Sequence, residues 1–295
     1  MSARFPIPGA SKRAPFSAMM MNPRALLRQF NIRPKKSLGQ NFLVDDTAAE
    51  RIVAAANLSP TDTVLEVGPG LGALTRHLAV AAQRIVAIEL DQRLMPILQH
   101  TLEAYTNVEL LHGDILELDP TTLFSAPYKV VANIPYYITS AILRHLIEAD
   151  VPPRLMVLTV QQEVARRIVA TPGEMSLLAL GVQFYGQPRI VAHLKAGAFY
   201  PRPKVSSAVL QIDLNPDAQP AWGVDDAELF FKLARAGFSQ RRKQLHNALA
   251  GGLARSEAEI DTALRQAGID RRRRAETLSL EEWAALTRAF AAVTD

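Results

Sequence analysis

Thr63-Val64-Leu65-Glu66-Val67-Gly68-Pro69-Gly70-Leu71-Gly72 is the stretch that decides the fold. A short run rich in Val and Leu leads straight into three glycines, and from about Leu71 to Ala81 the apolar residues recur with helical spacing. A buried strand that becomes a helix through a glycine-rich turn aims backbone N–H groups and a helix N-terminus at whatever binds above it. The alternative is a tight turn and nothing more. The turn alone does not choose among nucleotides, because Gly68, Gly70 and Ala73 also satisfy the loose dinucleotide pattern.

Outward from this turn the chain alternates. Upstream, Thr47-Ala48-Ala49-Glu50 reads as a capping box that opens a helix to about Asn57. Downstream come strands at 84–88, 108–111 and 128–132, with a helix from Asp91. Such a βαβ series predicts a mostly parallel sheet covered on both faces, with ligands in the crevice beyond the strands' C-terminal ends. A strand at 155–160, a helix to about residue 170 and β-rich stretches at 189–194 and 207–214 complete a first domain. After Asn215-Pro216-Asp217, helical periodicity at 226–238, 241–250, 257–266 and 279–291 predicts a small all-helical C-terminal domain. The expected boundaries are therefore 1–33 for a basic, mobile N-terminal extension with a short helix at 23–30, 34–215 for an α/β domain, and 216–295 for the helical one. The extension also fits an organelle transit peptide or a later start within Met19-Met20-Met21.

At 295 residues and 48% hydrophobic, the chain can bury a sizeable core. Zero cysteines exclude disulfides and thiolate metal sites, and the six histidines lack ligand-like spacing, so no protein-bound metal is expected. No apolar run approaches the roughly 20 residues that span a bilayer. A cytoplasmic protein with no membrane partner is the expectation. The net charge of +4 is unevenly placed: no acidic residue precedes Asp45, and Arg241-Arg242-Lys243 and Arg271 to Arg274 cluster near the C-terminus. Solvated helix faces explain any single cluster, but three clusters in one chain point to a polyanionic partner such as nucleic acid.

Glu89 ends the second strand, where a carboxylate can accept bonds from both hydroxyls of a ribose. Asp114 ends the third, placed either to accept from an adenine amine or to cap Asp114-Ile115-Leu116-Glu117. Together with the glycine turn, these strand ends fit S-adenosylmethionine better than a dinucleotide. Asn133-Ile134-Pro135-Tyr136 ends the fourth strand. An aryl amine is a poor nucleophile because its lone pair is delocalised into the ring. The Asn133 side-chain oxygen and a backbone carbonyl fixed by Pro135 can accept both amine hydrogens and aim the lone pair at a methyl donor, while Tyr136 offers a face for a flipped base. The alternative is a strand-ending turn with a core tyrosine.

With Ser37-Leu38-Gly39-Gln40-Asn41-Phe42-Leu43, Gln161 to Arg167, Phe199-Tyr200-Pro201-Arg202-Pro203-Lys204-Val205, Phe238 to Lys243 and Arg274-Ala275-Glu276, these residues resemble the small-subunit ribosomal RNA adenine dimethyltransferase family, from about Arg33 to the C-terminus. The resemblance implies a Rossmann-like, seven-stranded S-adenosylmethionine methyltransferase sheet, mostly parallel with the last strand antiparallel. It also implies transfer of four methyl groups to two adjacent adenines in the hairpin loop near the 3′ end of 16S rRNA, within an immature small subunit, by a monomer. By position, Gln40, Asn41, Leu43, Gly68, Gly70, Glu89, Asp114 and Asn133 would line the cofactor site, with Asn133, Pro135 and Tyr136 as catalytic residues. Phe199 matches a second aromatic that sandwiches the adenine against Tyr136, unless it is a core phenylalanine. Lys204, Arg241, Arg242 and Lys243 would meet phosphates, adding affinity more than sequence choice.

Two positions depart from the family pattern, Ser206 in place of an acidic residue and Tyr137 in place of Asn, which puts local loop contacts in doubt. The related 23S rRNA adenine methyltransferases of antibiotic resistance share the Asn-x-Pro-Tyr segment; Gly39-Gln40 and Gln240 to Lys243 favour the small-subunit enzyme. A non-catalytic subunit assembly factor and a nicotinamide-dependent oxidoreductase are the rivals from other classes.

Overall fold

The computed structural model describes residues 3–5 as backbone, then 22–215 and 221–294. The chain divides into two compact units, Met1–Ala165 with Arg189–Leu214, and Arg166–Pro188 with Asn215–Asp295.

The first unit holds the sheet. Its elements are β1 (Ala3–Phe5), α1 (Pro23–Gln29), β2 (Phe42–Leu43), α2 (Asp46–Ala55), β3 (Thr63–Val67), α3 (Ala73–Ala81), β4 (Arg84–Glu89), α4 (Met95–Leu102), β5 (Val108–His112), β6 (Lys129–Asn133), α5 (Thr139–Ile147) and β7 (Leu155–Gln161). After α6 (Gln162–Ile168) and α7 (Leu177–Tyr185) come β8 (Gly186–Leu194), β9 (Phe199–Tyr200) and β10 (Ser207–Leu214). The strand order is β1-β5-β4-β3-β6-β7-β10-β8. β3 pairs in parallel with both β4 and β6, β4 with β5 and β6 with β7, whereas β10 runs antiparallel to β7. This is the expected Rossmann-like methyltransferase sheet of seven strands, extended by the short β1, which runs antiparallel to the β5 edge.

The strands read as near-continuous apolar runs because helices cover both faces of a parallel sheet; β7 is buried from Leu155 to Val160. The chain reverses direction across the sheet at β3, so a crevice opens where β3, β4 and β6 end. One buried charge cluster braces the opposite ends: Lys129 Nζ lies 2.9 Å from Asp62 and donates to the carbonyls of Ala56 (3.0 Å) and Asn57 (2.6 Å).

Three expectations need correction. The cap of α2 is Asp45, whose carboxylate accepts from the Ala48 N–H at 3.1 Å, so the helix starts ahead of Thr47. The helix expected from Arg241 begins at Leu245, because Arg241 to Lys243 form an exposed turn. Arg166–Pro188, expected within the first domain, groups with the second unit. The reason is α7, whose Phe184 packs at 4.4 Å, ring centre to ring centre, on Phe230. The other helices of that unit are α8 (Ala227–Phe238), α9 (Leu245–Gly252), α10 (Glu257–Gln266) and α11 (Leu280–Thr294), closed around the fully buried Trp283. Of the N-terminal extension, residues 1–2 and 6–21 lie outside the described residues, as do Pro216 and Asp217 at the expected domain boundary. The short helix expected at 23–30 is present as α1, capped by Asn22.

Candidate functional site

Gly68 leaves β3 with φ +70°, and a side chain built there would meet nothing within 4 Å, so the backbone is open to a ligand. The loop that follows is pinned by Glu89 at the end of β4. Its Oε2 accepts from the Gly70 N–H at 3.1 Å and its Oε1 from the Asp91 N–H at 2.9 Å. Burial pushes this carboxyl up to about 7 in spite of those bonds. Glu66, on β3, is 1% exposed, and its Oε2 has no hydrogen-bond partner among the described residues. Burial pushes Glu66 up to about 8, with the Thr75 hydroxyl opposing and the neighbouring Glu89 adding to it. A buried carboxylate oxygen without a partner is costly unless something pairs with it. These two buried acids, beside an open glycine backbone, suit a ligand carrying positive charge and ribose hydroxyls.

The far wall comes from the segment before β2. Gln40 accepts the Lys35 N–H at 2.7 Å and donates from Nε2 to Asp91 at 2.9 Å. It therefore braces the loop against the end of β4. Asp91, bonded by Arg93 and Gln40, is held down to about 2 and stays ionised. Asn41 donates from Nδ2 to the Gly39 carbonyl at 2.9 Å, and its own carbonyl accepts from Asn133 Nδ2 at 3.0 Å. That last bond fixes which way the Asn133 amide faces: its N–H is committed to the backbone, and Oδ1 is the acceptor left beside the cleft.

After Asn133, Pro135 adopts φ −61° and ψ 130° and delivers Tyr136 to a 3-10 turn. The Tyr136 hydroxyl lies 2.5 Å from Ser207 Oγ on β10, so the half-buried ring is held at its far end. Burial raises the phenol above its ordinary range, with the Ser207 bond opposing. The hydroxyl therefore stays protonated at neutral pH.

Gln40, Asn41, Leu43, Gly68, Gly70, Glu89, Asp114, Asn133, Pro135 and Tyr136 line one cleft. Asp114 does both things read for it in part: it lines the cleft, and its Oδ1 caps the following turn by accepting from the Leu116 N–H at 2.9 Å. Phe199 is the correction. It is 3% exposed, pairs through β9 with Leu43 of β2, and belongs to the hydrophobic core rather than to the lining. The short β2–β9 ladder turns its ring inward, so the core reading holds in this structure. Glu66 and Tyr137 also line the cleft and went unassigned in the sequence. A glutamate inside an otherwise apolar strand was the available signal for the first.

The basic residues separate into two kinds. Lys204, Arg241, Arg242 and Lys243 are exposed. Arg241 lies 4.0 Å from Glu276, and neither Arg242 nor Lys243 has an ion pair among the described residues. Each arginine of the Arg271 to Arg274 cluster has an ion-pair partner in its own unit, Asp261, Asp270, Glu282 and Glu276 in turn. Arg271, Arg272 and Arg274 nevertheless stay exposed, so as a contact for a polyanion the cluster is partly neutralised rather than removed. No group of three or more His, Asp or Glu placed to hold a metal occurs among the described residues.

Comparison with known proteins agrees with this geometry. The model of the family described as ribosomal RNA adenine dimethylase matches residues 31–291. Similar curated proteins include the ribosomal RNA small subunit methyltransferase A of Dehalococcoides mccartyi, 48% identical over 92% of this chain and 95% of the relative. That of Alkaliphilus metalliredigens is 42% identical over 91% and 96%. Among solved structures, a dimethyladenosine transferase from Plasmodium falciparum shares the fold with a TM-score of 0.73 at 23% identity, covering 85% of this chain and 97% of that one. A 23S rRNA methyltransferase superposes with a TM-score of 0.68 at 28% identity over 85% of this chain and all of its own. With a cleft of this composition at the sheet's crevice and a family match over most of its length, the chain is an adenine dimethyltransferase belonging to the ribosomal RNA adenine dimethylase family.

Proposed function

We propose that the protein uses S-adenosylmethionine to dimethylate the N6 atoms of two adjacent adenines in the hairpin loop near the 3′ end of 16S rRNA, during maturation of the small ribosomal subunit. The observation that carries this reading is the Asn133–Asn41 bond, because it leaves an amide oxygen as acceptor at the place where an exocyclic amine would enter.

Glu89 would hold the ribose, Asp114 the adenine amine, and Glu66 the positive charge of the cofactor, which when bound supplies an electrophilic methyl group on a sulfonium. Asn133 Oδ1 and the carbonyl before Pro135 accept the two hydrogens of the target amine. Doing so pulls the nitrogen lone pair out of conjugation with the ring and points it at the methyl carbon. Tyr136 stacks on the extruded base, worth roughly 1–3 kcal/mol. No side chain needs to act as general base, since the alkylated amine is acidic enough to lose its proton to water. The residues contribute orientation above all. In the second unit, Arg241, Arg242 and Lys243 provide exposed charge for phosphates, as Lys204 does in the first.

The 23S rRNA reading keeps a specific support, the 28% identical structure that shares the fold. Incubation with labelled cofactor and either purified, unmethylated small subunits or protein-free 23S rRNA separates the two. Label in the small subunits alone supports the proposal, and label in 23S rRNA alone ends it.

A further inference from the structure

Tyr137 follows the base-holding tyrosine, yet it is 59% exposed, the one exposed aromatic residue among those described. An aromatic ring left in water invites a stacking partner. The ring is not loose. Gly39, at φ +60°, lies against it so closely that an added Cβ would sit 3.2 Å from Tyr137 Cδ1 and 3.6 Å from Pro135 Cβ. The missing side chain at Gly39 lets the ring approach the loop closely.

A second hollow adjoins the cleft. It shares Gly39, Asn41, Tyr136 and Tyr137 with the cleft and adds Lys36 and Gln161. Lys36 is exposed and has no ion pair among the described residues, while its neighbour Lys35 is drawn to Asp91 at 3.9 Å. The hollow therefore brings an aromatic ring, a free ammonium and a side-chain amide to a lining that includes Tyr136, on which the target base would stack. Those are the three groups that a single-stranded nucleotide uses: a ring for its base, a cation for its phosphate, and a donor or acceptor for its base edge.

We propose that Tyr137, Lys36 and Gln161 form a subsite for the nucleotide next to the target adenine, with the neighbouring base stacked on Tyr137 and the connecting phosphate on Lys36. The proposal rests on the RNA-methylation reading above. It gives that reading a geometric consequence: with one adenine in the cleft, its neighbour waits on Tyr137, and a shift by one nucleotide exchanges them.

The test compares wild type, Tyr137→Ala and Tyr137→Phe on unmethylated small subunits, scoring kcat, KM for the subunit and methylation at each adenine. Calorimetric binding of S-adenosylhomocysteine confirms that each variant is folded. Loss of one base stack predicts a KM about tenfold higher for Tyr137→Ala, a larger change than in its cofactor affinity, and most of the loss restored in Tyr137→Phe. A Tyr137→Ala enzyme with wild-type KM and wild-type distribution between the two sites overturns the subsite. If wild type transfers no methyl group to small subunits, the RNA reading fails. The stack is then judged by quenching of 2-aminopurine in a single-stranded adenine oligonucleotide, where quenching lost in Tyr137→Ala supports the subsite and no quenching by wild type overturns it.

Discussion

Cofactor affinity should tighten steeply between pH 6 and pH 8, because the two buried glutamates of the cleft hold protons that a cationic ligand expels. In the free protein Glu89 titrates at about 7 and Glu66 at about 8, against 4.5 for an ordinary glutamate. A ligand that donates ribose hydroxyls to Glu89 and positive charge to Glu66 stabilises their ionised forms, so each proton held before binding is released on binding. For Glu89 alone, a group titrating near 7 gives about tenfold tighter binding at pH 8 than at pH 6, and release from Glu66 as well makes the change larger. The sign for stability follows from the same shifts. Both carboxyls are raised, so their contribution to folding is complete below about 4.5 and is lost as pH rises through 7 to 8; cofactor restores it there. Isothermal calorimetry at three pH values, in buffers of differing ionisation enthalpy, counts the protons directly. Glu66→Gln removes one titrating group, and subtracting its profile from wild type cancels the ligand's own titration. A wild-type affinity that is flat from pH 6 to 8, with no proton released, would refute the reasoning.

Asn133→Ala removes the oriented acceptor and should lower kcat about a hundredfold, more than it weakens cofactor binding, by single-turnover kinetics. Tyr136→Ala should raise KM for RNA about tenfold, whereas Tyr136→Phe loses only the Ser207 bond and stays close to wild type. Lys129→Met leaves the buried Asp62 carboxylate with the Ser59 N–H and, as its cation, the half-exposed Arg154, and denaturant unfolding should show a loss of about 3 kcal/mol. Replacing Arg241, Arg242 and Lys243 with Ala should weaken RNA binding and flatten its dependence on salt, by up to about one unit of log–log slope for each phosphate no longer neutralised.

The sheet was legible from the sequence because its strands are buried on both faces and announce themselves as apolar runs ending in glycine or a carboxylate, as at Val67-Gly68 and Ile88-Glu89. The cleft was legible for the same reason: its residues sit at strand ends, where position in the chain fixes position in space. What failed to show depended on partners distant in sequence. Phe199 carries no local sign that two residues of β9 will pair with Phe42 and Leu43 and draw it into the core. The Arg271 to Arg274 run reads as uncompensated charge until Asp261 and Glu282 fold against it and neutralise part of it. Gln40 lines the cleft as expected, but its second part as a brace depends on its bond to Asp91, 51 residues away. α7 is apolar nearly all round, so it lacks the one-sided stripe of a surface helix, and the pairing of Phe184 with Phe230 decides which unit it joins.

The most direct measurement is nucleoside mass spectrometry of rRNA from unmethylated small subunits reacted to completion with the purified protein and S-adenosylmethionine. The expected product is N6,N6-dimethyladenosine at two adjacent positions of the hairpin loop near the 3′ end of 16S rRNA, four methyl groups per particle in all. Monomethyladenosine at a single site, methylation on an atom other than N6, or an unmodified loop would contradict it.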